Sequence, residues 1–269
     1  MSAPVAHRLT LTAAEYAHLV ERMGVDMPPD WRPAPDVAGG AREEDLLAKG
    51  VLRGSGDLAS VHPSIEANIR VLASPRIMLD TTATCGAKGS RSVHSVAGSV
   101  GASLFLLPEA GVELSMFPAV DLGRELVRAV PVPDGGGIGS ALDGGAAAEP
   151  LRGSVPLAAL HELGVADLLR DADPDAPGYV LAELKLPKEE AEFALDVVRR
   201  TDGVLRCLVT AIADGGAHSA QVNWLHSDTG WVGVRPSATG ASRKLVDLVP
   251  VDREDLGVWV APYVAEALS

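Results

Sequence analysis

Aromatic side chains are scarce in this sequence, at 4% of 269 residues, although 47% of the chain is hydrophobic. Val, Leu and Ala must therefore fill most of its core, and the few rings become landmarks of packing. Cysteine is nearly absent: Cys85 and Cys207 stand alone, in segments that read as strands and without CxxC spacing. They are read as buried reduced thiols, which argues against both a disulfide framework and a thiolate metal site. Cations are outnumbered, 23 Lys and Arg against 36 Asp and Glu, for a net charge of -13. That balance repels phosphate backbones, so no nucleic acid is expected as a partner. No segment approaches the ~20 apolar residues that a membrane span needs. Residues Met1 to Leu11 lack the cationic flank and apolar stretch of a signal peptide, so a cytoplasmic location is expected.

Catalytic signatures are missing as well. His7, His18, His62, His94, His161, His218 and His226 are scattered, with no HxxxH or HExxH pair to set two imidazoles on one helical face. His226-Ser227-Asp228 holds the residue types of a triad, but neighbours in a turn point in different directions and read as turn chemistry. There is no GxSxG elbow and no GxxxxGK[ST] loop. Gly86-Ala87-Lys88-Gly89-Ser90 has its lysine too early for a phosphate loop and reads as a hairpin loop. The carboxylates of Asp171, Asp173 and Asp175, and of Glu189, Glu190 and Glu192, are read as solvated faces. No catalytic residue, cofactor or metal ligand is assigned, and the chain is expected not to be an enzyme.

What the sequence does contain is a clear change of period. Thr12 and Glu15 are spaced as a capping box, ahead of Tyr16, Leu19, Val20 and Met23 at helical spacing, with Gly24 as a stop. Pro28, Pro29, Pro33 and Pro35 forbid regular helix until a short acidic one, Glu43 to Lys49, closed by Gly50. Pro63 opens a third helix carrying Ile65, Ile69 and Leu72, and Pro75 ends it. Strict alternation then begins at Ile77. Strands are expected at Ile77 to Thr84, Arg91 to Ala97, Gly101 to Leu107 and Val112 to Phe117, the last two joined by Pro108-Glu109-Ala110-Gly111 with glycine at the left-handed position. A helix from Asp121 to Ala129 follows.

The second part repeats this order. Helices from Pro156 to Gly164 and from Lys188 to Arg200 precede strands at Leu205 to Ala213, Ser219 to His226, Thr229 to Arg235 and Arg243 to Val249. A last helix, about Arg253 to Leu268, carries Leu256, Trp259, Val260, Tyr263, Val264 and Leu268 on one face and is interrupted by Pro262. Met116-Phe117-Pro118 before Asp121-Leu122 matches Leu248-Val249-Pro250 before Asp255-Leu256. Two related α+β halves are therefore expected, at 1–130 and 154–269, joined by a Gly/Pro/Ala-rich linker at 131–153. Short connections make the sheet antiparallel.

In this order of elements the sequence resembles the EspG family of type VII secretion-associated proteins of actinobacteria. The resemblance rests on Glu15-Tyr16-Ala17-His18-Leu19-Val20 followed by Met27-Pro28-Pro29, on Leu47-Ala48-Lys49-Gly50-Val51-Leu52, and on Leu72-Ala73-Ser74-Pro75 before a strand. Ser154-Val155-Pro156 after the linker, and the closing strand, proline and helix from Leu245, complete it. It implies a quasi-two-fold α+β fold, with a central antiparallel sheet flanked by helical bundles. It also implies a cytosolic chaperone-like adaptor of the ESX type that binds a secreted helical protein, a PE/PPE-like heterodimer or another substrate, and keeps it soluble for export. By the same resemblance the contact surface comprises the loop Cys85, Gly86, Ala87, Lys88, Gly89, Ser90 and Arg91, together with the C-terminal helical bundle at Arg200, Trp259 and Tyr263. Two other readings of the residues stand beside it: an enzyme with a small-molecule pocket between the halves, and a scaffold or secreted effector.

Overall fold

A computed structural model describes residues 8–34, 40–54, 59–133, 148–213, 216–238 and 244–268. The first part runs β1 (Arg8–Thr12), α1 (Ala13–Met23), α2 (Glu43–Ala48), β2 (Leu52–Arg53), β3 (Ser60–Val61), α3 (Pro63–Ala73), β4 (Ile77–Cys85), β5 (Lys88–Ala97), β6 (Val100–Leu107), β7 (Gly111–Pro118) and α4 (Leu122–Val127). The second runs β8 (Gly153–Pro156), α5 (Leu157–Leu168), α6 (Ala176–Leu184), α7 (Lys188–Arg200), β9 (Thr201–Ala213), β10 (Gly216–Ser227), β11 (Gly230–Pro236), β12 (Leu245–Pro250) and α8 (Leu256–Leu268). Strands β2 and β3 form a separate small ribbon.

Ten strands make one antiparallel sheet in the order β1-β7-β6-β5-β4-β9-β10-β11-β12-β8. Read inward from either edge, each half presents its first strand, then its last, and then its hairpin strands down to a shared seam. At that seam β4 pairs with β9, from Ile77 opposite Ala211 to Ala83 opposite Leu205. The arrangement is quasi-two-fold.

Residues directly opposite on antiparallel strands share a face of the sheet. Val93 opposes Asp80, Asp80 opposes Leu208, and Leu225 opposes Val232, so one face can be followed across the whole sheet. On that face α1, α2 and α3 bury Val93, Ala102, Leu104, Val112 and Leu114, while α5, α6 and α7 bury Val232, Val246 and Leu248. The other face holds the central core, where Leu79, Cys207, Val209 and Trp224 lie beneath Leu122 and Leu126 of α4 and Leu256 and Val260 of α8. Each fully buried Leu or Val contributes about 1.5–3 kcal/mol, which is what holds the helices to their faces.

Local signals account for several boundaries. The Thr12 hydroxyl accepts from the Glu15 N–H while the Glu15 carboxylate accepts from the Thr12 N–H, closing the capping box that starts α1. Gly24, at φ 60°, ends it. Both cysteines are buried and free of disulfide.

Other expectations are corrected. Strands β1 and β8 form the two sheet edges, so each half contributes five strands to the large sheet rather than four; with only five and four residues they are too short for alternation to declare them. Pro156 closes β8 and precedes α5 instead of opening it. Helix α6 was not expected between the aspartates and α7. In the β6–β7 turn the left-handed residue is Ala110, at φ 53°, and not Gly111, which pairs with Thr12 of β1. Of the expected linker, residues 134–147 lie outside the described part, as does the side chain of Leu268.

Candidate partner-binding surface

The segment Cys85 to Arg91 is not an open loop. β4 and β5 pair as far as Cys85 opposite Lys88, which leaves only Gly86 and Ala87 in the turn. Gly86 takes φ 56° and donates its N–H to the Asp202 carbonyl at 3.2 Å. Beside it, a β-carbon on Gly203 would fall 2.2 Å from the Thr84 carbonyl oxygen, so glycine is required for the two strands to meet there. The strand pattern of β4 continues through Thr84 and Cys85, and the glycine-rich composition that suggested a loop serves a tight turn.

Alternation along β5 sends Lys88 and Arg91 to opposite faces of the sheet. Lys88 Nζ donates to the Val132 carbonyl at 2.9 Å. The Arg91 guanidinium lies over the Trp31 ring, 5.1 Å from its centre, with the Asp30 carboxylate 3.9 Å away. Between them the Ser90 hydroxyl donates to the Ala129 carbonyl at 2.5 Å, and Gly89 pairs with Thr84. The hairpin cations are thus engaged with their own chain.

Arg200, at the end of α7, is bound by its surroundings too. Its guanidinium donates to the Asp228 carboxylate at 2.8 Å, the Glu149 carbonyl at 2.9 Å and the Asp196 carboxylate at 3.2 Å, tying the helix end to the β10–β11 turn. Trp259 packs against Gly233, where an added β-carbon would come 2.3 Å from the ring, and meets Trp224 edge-on at 6.1 Å. Tyr263 is 36% exposed and borders a cavity of about 380 Å³ with His218 and Glu266. Because α8 and α7 lie on opposite faces of the sheet, the structure does not bring Arg200 together with Trp259 and Tyr263.

His226 and Ser227 close β10, and only Asp228 lies in the turn that follows. The His226 Nδ1 lies 2.5 Å from an Asp202 oxygen, whereas the Ser227 hydroxyl turns to the Gly230 carbonyl at 3.1 Å. A larger cavity of about 740 Å³ opens at the outer edge of the first half, between β1, α3 and the end of β7, lined by Leu9, Ile65, Asn68 and Phe117 among others. Neither cavity crosses the β4–β9 seam, so the expected pocket between the halves is not where these open.

One surface escaped the sequence reading. The outer sides of α5 and α6 expose Val165, Leu168, Leu169 and Tyr179, while Ala159, Leu163 and Ala166 of the same α5 face inward. The signal was present: α5 is apolar on both sides, with only His161, Glu162 and Asp167 as polar residues. Among the described residues no group of three or more His, Cys, Asp or Glu is placed to hold a metal ion, and no helix is long and apolar enough to cross a membrane.

A ten-stranded antiparallel sheet doubled about a central seam, with paired helical bundles on one face, is an α+β fold of the EspG type. A solved structure that shares it is that of the Mycobacterium tuberculosis type VII secretion system chaperone EspG5 in complex with the PE25-PPE41 dimer, matched with a TM-score of 0.62 over 95% of both chains. Sequence identity is 10%, so the likeness is one of fold. No family model matches the sequence, and no curated protein matches it.

Proposed function

We propose that this chain is a chaperone-like adaptor of a type VII secretion system, which binds a helical substrate in the cytosol and keeps it soluble until export. The observation that carries the reading is the likeness over 95% of both chains to a secretion chaperone whose structure was solved with a PE-PPE dimer. A second feature supports it: α5 and α6 leave apolar side chains in solvent, as expected of a surface that another helix covers. The role needs no catalytic group, and the titratable residues with known partners are occupied in tying the fold together. The substrate is a PE/PPE-like heterodimer or another secreted helical protein.

The test is co-expression with helical proteins encoded beside this chain. A stable complex on size exclusion, burying more than ~1,000 Å², is the expected outcome. Failure of every such protein to co-purify would remove the adaptor reading.

A further inference from the structure

We infer that the outer faces of α5 and α6, with the acidic turn between them, form a docking site for a cationic amphipathic helix: a partner segment with an apolar stripe flanked by Lys or Arg. This names the chemistry of the partner and rests on the adaptor reading above. A helix that is apolar on all sides is normally buried. Yet α5 lies at the surface, with Leu168 85% exposed and Val165 and Leu169 more than half exposed. Tyr179, 66% exposed, stands in the first turns of α6, which packs against α5.

The charge around this patch decides what can cover it. The turn folds back on the helix end, with the N–H groups of Ala172 and Asp173 donating to the Leu169 carbonyl at 2.9 and 2.8 Å. That brings Asp171 and Asp173 beside the exposed leucines, and Asp175 precedes α6. Residues 161–185 hold six carboxylates, Glu162, Asp167, Asp171, Asp173, Asp175 and Glu183, against two cations, Arg170 and Lys185. Arg170 is paired with Asp167. Among the described residues Asp171, Asp173, Asp175, Glu162 and Glu183 have no cation partner. An anionic membrane or an acidic helix would be repelled from such a rim, whereas a basic helix gains both apolar contact and charge complementarity.

The experiment uses the full chain and two synthetic helical peptides with the same leucine stripe, one flanked by lysines and its twin by glutamates, with affinity read by fluorescence anisotropy. The lysine peptide is expected to bind at least about tenfold tighter than its twin, with affinity that falls as salt rises. Leu168→Glu is the decisive variant. It adds negative charge, so unspecific attraction to an acidic protein would strengthen, while loss of apolar contact at this site should weaken binding about tenfold. Because Leu168 is exposed, its melting temperature should not move. Neutralising Asp171, Asp173 and Asp175 to Asn should also weaken binding and flatten the salt dependence. Equal affinity for the two peptides, or unweakened binding by Leu168→Glu, overturns the inference. Co-expression separates this from the adaptor reading. If Leu168→Glu still captures a helical substrate that the wild type captures, the adaptor stands and the surface falls. If the peptides behave as expected but no substrate is captured, the surface stands and the adaptor falls.

Discussion

Gly257 of α8 lies so close to Gly123 of α4 that a β-carbon added to it would come 2.9 Å from the Gly123 Cα, whereas a β-carbon on Gly123 would stand 3.8 Å from the Gly257 Cα. Each is the second residue of its helix, and each helix follows a strand ending in proline, Pro118 or Pro250. The quasi-two-fold relation thus brings matching residues together, but the contact itself is not symmetric.

The asymmetry makes a paired prediction. Gly257→Ala forces backbone apart and should cost about 1–3 kcal/mol, as overpacking does. Gly123→Ala meets only ordinary contact and, being helical, should be neutral or gain up to ~1 kcal/mol. Urea unfolding of the two variants measures both, and equal effects would show that the helices do not approach as described.

The repeated order of strands and helices was legible because β4 and β9 alternate over seven or more residues and α7 has a strong polar face. Pro118 and Pro250 marked equivalent positions in the two halves. The edge strands were not legible, since Arg8–Thr12 offers only Leu9 and Leu11 as a pattern and Gly153–Pro156 only Val155. The surface was harder still. Glycines at 86 and 89 suggested a loop because composition cannot distinguish a two-residue turn from a long one, and the aspartates at 171–175 were read for charge without the leucines that precede them.

Trp259 and Tyr263 should separate by role. The Trp259 ring covers Gly233 and meets Trp224, so Trp259→Ala should lose about 2–3 kcal/mol of stability, less than a fully buried tryptophan because the side chain is only partly buried. Tyr263→Ala should stay within about 0.5 kcal/mol, as expected for an exposed side chain on α8. Thermal unfolding distinguishes them. A destabilised Tyr263→Ala would assign that ring to the core.

Arg91 offers a test of whether the β4–β5 hairpin is available to a partner. Its guanidinium over Trp31 contributes roughly 0.5–1 kcal/mol, and the nearby Asp30 adds little because both groups are solvated. Arg91→Glu replaces that attraction with a carboxylate over the ring's negative face and should lower stability by about 1 kcal/mol, while Arg91→Lys should lower it by less. An unchanged melting temperature in Arg91→Glu would release the side chain from this role and return it to the partner-binding surface.

His94 gives the last expectation, in pH. It is completely buried on β5, and its ring meets Phe105 edge-on at 5.3 Å. Ser103 and Phe105 of β6, Glu125 of α4 and Arg128 just after that helix face it, the Glu125 carboxylate accepting from the Ser103 hydroxyl at 2.8 Å and from Arg128 at 2.5 Å. Burial lowers the pKa of the imidazole from 6.5 to about 4; the Glu125 charge opposes the shift and the Arg128 charge assists it. Between those two values the unfolded chain holds a proton that the folded chain refuses. Stability from this group is therefore complete above pH 6.5 and is lost as the pH falls toward 4, by roughly 3 kcal/mol. His94→Leu removes the titrating ring, so the stability of the wild type minus that of the variant should fall by this amount between pH 7 and pH 4 and stay level above pH 7. Denaturant unfolding across that range supplies the difference curve, and parallel curves would mean that the folded protein accepts the proton on His94.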